Sequence, residues 1–316
     1  MNANTWKRWL SVRAYGLVTS TLFGATTPPA TLRARFERFG GVSREAMTRK
    51  YPQLSFASHA VGALGVESVR AVPSPRCVVL HLHGGAFLMG SSSSYRNRAV
   101  RMSYRCDAEV FVPDYRLAPE HPYPAALEDA LVSWQYVRAL RPRVPILVTG
   151  DSAGGGLALS LLVKLRELGA EMPAGAILLS PWTDLTGSGA SVQTNRTKDL
   201  WLTRRHLEAW ARHYVGGADP RAPELSPLFA ALADLPPLLV LAGEHEILLD
   251  DATRVVEAAT RAGTTASLVV GRGMQHDWPL TLPWLDESRS AWSEIRGFIA
   301  RECERHDQTV TERKEP

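Results

Sequence analysis

Cysteine is scarce in this chain. Cys77, Cys106 and Cys303 are the three present in 316 residues, widely separated and odd in number. With no C-x-x-C pair among them, neither a disulfide framework nor a zinc site is expected, and a reducing compartment, the cytoplasm, is the default. Long apolar runs are lacking too: none reaches the roughly 18 residues that a spanning helix needs. The first apolar stretch is interrupted by Arg13, which fits a secretory signal poorly. Strong charge of one sign is also missing. The formal net charge is +4, and residues 1–50 carry nine Lys/Arg against two Glu, so the rest of the chain is net acidic. No nucleic-acid partner is expected. The basic start, with Trp6, Trp9, Leu10, Leu17 and Phe23, leaves two readings open: a helix lying on an anionic membrane, or a helix covering an active site.

What is present is the balance of an ordinary globular protein, 45% hydrophobic and 22% charged, long enough for one large α/β domain with an appendage. Strands are expected at 61–72, 77–82, 109–115, 144–149, 176–180, 238–242 and 267–270, and helices at 123–140, 153–168, 250–262 and 285–302. The run 77–82 is almost wholly apolar, as in a strand buried on both faces. Alternation of strand and helix predicts a mostly parallel twisted sheet covered on both faces, with the ligand site beyond the carboxyl ends of the strands. The alternation lapses over 183–227, apart from a helix near 204–214. That excursion and residues 1–50 are the candidate lid over a catalytic domain at 51–303, and 304–316 reads as a polar, frayed tail.

Chemistry enters at G-D-S-A-G-G-G, residues 150–156. Ser152 stands between Gly150 and Gly154, where a strand runs directly into a helix. A sharp turn there leaves no room for side chains beside the serine and exposes its hydroxyl as a nucleophile. A serine needs a base, and the base needs an acid to orient it. In strand–elbow–helix hydrolases these follow in the order Ser, acid, His. Beyond strand 238–242 the histidines are His245, inside the loop that should supply the acid; His306, in the tail; and His276, in G-M-Q-H-D-W after the last strand. His276 is the expected base. The acid is expected to be Glu246, in the loop after 242, with Asp250 in reserve, since Asp250 and Asp251 sit where a helix start favours acidic caps. H-G-G-A at 83–86 follows strand 77–82, and Gly84, Gly85 and the N–H of Ala153 are the expected oxyanion donors. His81 and His83 share a strand face but have no third partner nearby, so no metal site is expected there, nor at Glu244-His245-Glu246. Asp151 is expected to brace the elbow. Trp182, Trp201, Trp278 and Trp284 are candidates for the mouth of the site.

H-G-G-A-F-L-M-G-S at 83–91, D-Y-R-L-A-P-E-H-P-Y-P-A-A-L-E-D-A at 114–130, S-P-W-T-D-L-T at 180–186 and the two motifs around Ser152 and His276 together resemble the bacterial hormone-sensitive-lipase-like esterases, over roughly residues 50–300. Within that family the E-I-L-L-D-D stretch is similar to the members near acetyl hydrolases and monoterpene ε-lactone hydrolases. The resemblance implies an α/β-hydrolase fold with an N-terminal helical cap, and hydrolysis of carboxylic esters without a cofactor. It differs in two places: Ala86 replaces the last glycine of the commoner H-G-G-G, and Glu246 stands where the family's commoner acid is Asp. The expected partner is a small ester or lactone. A homodimer and membrane contact stay open, with Arg13 arguing against the latter. The competing reading is a ligand-binding protein on a retired hydrolase scaffold, which would be expected to have lost a catalytic member.

Overall fold

The computed structural model describes residues 3–312. Three helices come first, α1 (Ala3–Leu22), α2 (Pro29–Gly40) and α3 (Arg44–Lys50). Strands β1 (Ser55–Val61) and β2 (Leu64–Arg70) then form an antiparallel hairpin. The strand expected at 61–72 is β2, and β1, which precedes it, was not anticipated. Gly62, at φ 63°, sits at the start of the tight connection between them, a conformation that costs glycine little. β1 is an edge strand with much of its surface in water, so its sequence carries no apolar alternation.

Regular winding follows: β3 (Cys77–Leu82), α4 (Ser92–Cys106), β4 (Ala108–Pro113), α5 (Ala125–Leu140), β5 (Ile146–Asp151), α6 (Ala153–Glu167) and β6 (Gly175–Leu179). After the excursion, which holds α7 (Ser191–Thr194) and α8 (Arg204–Val215), come β7 (Leu238–Gly243), α9 (Leu249–Arg261), β8 (Ala266–Gly271), α10 (Trp278–Thr281) and α11 (Asp286–Glu312). The eight strands lie in the order β1-β2-β4-β3-β5-β6-β7-β8. The pairs from β4 onward are parallel, and those involving β2 are antiparallel. β3 to β7 are buried at every position, which is why their sequences read as continuous apolar runs. Of the frayed tail expected at 304–316, residues 304–312 are corrected to a continuation of α11, which runs unbroken from Asp286 to Glu312, and 313–316 lie outside the described residues.

α4 was not anticipated. Its serines and arginines hide a buried stripe of Tyr95, Ala99, Met102 and Cys106 at helical spacing, started by a capping box between Ser91 and Ser94.

The parallel strands end on one side of the sheet, and the elbow is built there. β5 runs straight into α6 through Ser152, held at φ 53° and ψ −123°. A side chain in so sparsely populated a conformation costs about 1–3 kcal/mol, which the surrounding contacts must supply. Those contacts are close. A Cβ on Gly150 would fall 2.1 Å from the Gly154 carbonyl oxygen, and one on Gly154 would fall 2.1 Å from that of Leu82. The two glycines are thus what lets α6 start directly above β3 and β5.

Candidate active site

Ser152 and His276, 124 positions apart in sequence, line the same cavity at the carboxyl end of the sheet. His276 is almost fully buried, and its Nδ1 lies 2.9 Å from Glu246 Oε2. Glu246 is itself fully buried. Its other oxygen, Oε1, accepts from Ser180 Oγ at 2.7 Å and from the Gly243 amide. With both carboxylate oxygens occupied, the acid is fixed in one orientation, and it fixes the Nδ1–H tautomer of the imidazole.

Asp250 is placed otherwise. Its Oδ2 accepts from the Ser191 amide at 2.9 Å and its own amide donates to Ser191 Oγ, which ties the start of α9 to α7. Asp251 accepts from the Thr183 and Asp184 amides. The acidic pair thus anchors the excursion to the sheet, and Glu246 alone of the three meets His276.

The loop at 83–86 requires one correction. The Gly84 amide is already engaged, donating to Asp151 Oδ1 at 3.0 Å and to the Tyr95 hydroxyl at 2.9 Å. It therefore does not face the cavity. Among the described residues, no acceptor meets the amides of Gly85, Ala86 or Ala153. Gly85 and Ala86 line the cavity beside Ser152, and Ala153 opens α6, where helix amides have no internal partner. The amides left unengaged around Ser152 are those of Gly85, Ala86 and Ala153. Gly85 sits at φ 119° and Ala86 at φ 56°; the left-handed conformation costs an alanine about 1–2 kcal/mol.

Asp151 braces the elbow as expected. It accepts from the Gly84 amide and from the Tyr95 hydroxyl, and its Oδ1 lies 3.2 Å from His81 Nε2. His81 Nδ1 meets Thr149 Oγ1, and His83 stacks on Tyr115 with ring centres 4.1 Å apart. Both histidines are therefore structural. Burial pushes His83 down to about 4, so it is neutral at physiological pH.

Asp277 was not singled out from the sequence, because an acid beside the base reads as loop surface. It is buried, at φ 56°, with its amide donating to Ser180 Oγ at 3.0 Å. Its Oδ2 lies 3.3 Å from His276 Nε2, the nitrogen that must reach Ser152. Burial raises the Asp277 carboxyl well above the usual range. At His276, burial favours the neutral form, but the Asp277 and Glu246 carboxylates outweigh it and push the imidazole up to about 10. Both shifts favour the protonated form of the group concerned, and the two groups titrate as a pair. A general base must be neutral, and every group that raises its pKa moves the acidic limb of the rate profile to higher pH. Asp277→Asn is therefore expected to move the acidic limb of kcat/KM down by about one pH unit or more. An unchanged limb in a pH–rate series would exclude Asp277 from the titration of the base.

The remaining walls come from the first helices and the excursion. Tyr15, Thr19 and Phe23 of α1 and its exit line the cavity with Trp201, Leu207 and Trp210. The Trp201 ring stands edge-on over His276, with centroids 5.6 Å apart. Asp199 accepts from the amides of Trp201, Leu202 and Ile247, linking that wall to the acid loop. Of the four expected tryptophans, Trp182 and Trp201 line the site. Trp278 is buried over Gly271 of β8, and Trp284 is half exposed and donates to Ser11. Trp210 was missed. Its sequence signal was its place on the buried stripe of α8 with His206, Leu207, Ala211 and Tyr214.

Comparison with known proteins agrees with this fold. The profile of the alpha/beta hydrolase fold matches residues 79–280. An acetyl-hydrolase of Streptomyces hygroscopicus is 38% identical over 240 residues, 76% of this chain and 80% of that protein. An esterase of Acinetobacter venetianus is 37% identical over 235 residues, 73% of this chain and 77% of its own length. Among solved structures, an esterase from the bacterial hormone-sensitive lipase family superposes with a TM-score of 0.82 at 34% identity, covering 93% of this chain and 98% of that one. The esterase EstE5, soaked with p-nitrophenyl butyrate, superposes with a TM-score of 0.83 at 31% identity and the same coverage.

Proposed function

This chain belongs to the alpha/beta hydrolase fold family, among the bacterial hormone-sensitive-lipase-like esterases, and is a carboxylic-ester hydrolase; on that premise we propose that it is a serine esterase acting on short- to medium-chain esters through an acyl-enzyme. The observation that carries the reading is the 2.9 Å contact between His276 Nδ1 and a fully buried Glu246, in the same cavity as Ser152.

In the proposed cycle His276 Nε2, released from Asp277, takes the Ser152 proton as Oγ attacks the ester carbonyl. Charge then develops on the carbonyl oxygen, where the amides of Gly85, Ala86 and Ala153 receive it. Such fixed donors act most strongly where water is excluded. Collapse of the tetrahedral intermediate sends the proton from His276 to the leaving alcohol. A water deprotonated by the same imidazole then attacks the acyl-enzyme and releases the acid. Glu246 balances the imidazolium formed in each half-cycle. Aromatic side chains from α1 and α8 wall the cavity, and α1 to α3 with the 183–227 excursion act as the cover over it. Three free, buried cysteines suit a reducing location, the cytoplasm.

Purified protein is expected to hydrolyse p-nitrophenyl acetate and butyrate, with kcat/KM falling as the acyl chain lengthens, and to be labelled by a fluorophosphonate at Ser152. ε-Lactones assayed beside the linear esters separate a lactonase from a general esterase. Folded protein that neither turns over an ester nor takes the label would make this a binding protein on the same scaffold.

A further inference from the structure

The cavity holds one fixed charge that the hydrolytic cycle does not use. Arg98, near the middle of α4, lines it and is half-buried. Its guanidinium lies over the Tyr95 ring, 4.5 Å from the centroid, and 5.9 Å from that of Phe36, the two rings being stacked on each other. One of its five N–H donors is used, by Nη1 on the Ser94 carbonyl at 3.2 Å. Among the described residues no carboxylate comes within 4 Å of it. Other arginines of the chain are spoken for: Arg96 by Glu67, Arg33 by Glu120, Arg116 by Asp129. Aromatic stacking holds a guanidinium in place without neutralising it.

Two further donors border the same space. Trp201 and Trp210 both line the cavity, and the indole N–H of each is buried without an acceptor. Buried donors are normally satisfied, so two orphans on one cavity indicate an acceptor that arrives from outside. The carboxylates nearest the reaction are otherwise engaged: Asp151 with Gly84, Tyr95 and His81, and Asp277 with His276.

We propose that Arg98 binds an ionised carboxylate on the substrate, so that the preferred esters are half-esters, in which a second acid group a few carbons from the scissile bond docks on the guanidinium. The assignment rests on the serine-esterase reading above and names its substrate class. A guanidinium meets a carboxylate through two parallel charge-assisted hydrogen bonds, which neutral esters of the same length cannot form.

The test compares monomethyl glutarate and butyryloxyacetate, which carry the charge on the acyl and the alcohol side, with methyl butyrate. Wild-type kcat/KM is expected to favour at least one charged ester about ten- to a hundredfold. Arg98→Gln should remove that preference, mainly through KM, and Arg98→Lys should restore part of it. A binding arm is independent of turnover: monomethyl glutarate added to Ser152→Ala protein should bind by calorimetry, and binding should be lost when Arg98→Gln is combined with it. Neutral esters hydrolysed as well as the charged ones, or equal loss on both in Arg98→Gln, overturns the proposal while leaving the esterase reading intact. Absence of all ester hydrolysis with glutarate binding retained overturns the esterase reading and keeps the anion site.

Discussion

Ser152→Ala is expected to reduce turnover of p-nitrophenyl butyrate by about a millionfold, to the residual rate that oxyanion donors and binding alone provide. The magnitude follows from what remains. The amides of Gly85, Ala86 and Ala153 still face the carbonyl oxygen, but no atom is left to form the acyl-enzyme, and His276 has no proton to take. The change removes one oxygen from a residue held at φ 53°. Alanine tolerates that conformation no better and no worse than serine, so the thermal midpoint should stay close to wild type and the loss can be read as chemistry. Folded Ser152→Ala protein that keeps its esterase activity would sink the mechanism.

Glu246→Gln carries the second largest effect, about a ten-thousandfold loss in kcat, the scale seen when a triad acid becomes its amide. The amide presents an N–H where the carboxylate accepted two hydrogen bonds at Oε1 and one at Oε2. Either His276 loses its Nδ1 acceptor or Ser180 and Gly243 lose theirs. In the first case the imidazole turns its wrong nitrogen to the serine. Asp250→Asn is the matched control, since Asp250 meets Ser191 rather than His276. It should change kcat by less than about tenfold, through the anchoring of α7, as expected of a structural contact. A greater loss in Asp250→Asn than in Glu246→Gln would transfer the acid role to Asp250.

The parts of this site that local sequence determines were legible in it. Strands buried on both faces must be apolar throughout, which exposed β3, β5, β6 and β7 and so located Ser152 just beyond β5 and Glu246 just beyond β7; His276 was found by its place after the last strand, β8. What stayed hidden depends on partners far along the chain. Which of two adjacent glycines turns its N–H to the cavity is settled by Tyr95 and Asp151, respectively 11 and 67 residues from Gly84, and no local pattern encodes that choice. Asp277 reads as an ordinary loop acid until Ser180, 97 residues earlier, is seen to hold its amide. Arg98 lies on a helix whose apolar stripe is masked by serine and arginine. β1 was not read as a strand because the edge of a sheet imposes no burial pattern.

Asp151 carries a consequence for motion. It stands one residue before the nucleophile, and its carboxylate is clasped by the amide of Gly84, by Tyr95 from the following helix and by His81 from the neighbouring strand. The attacking oxygen and the amides that receive the developing charge are therefore parts of one clamped assembly. None of these four residues belongs to α1 or α8, so a displacement of either wall would leave the register between them as it is: opening the door would not retune the machine behind it.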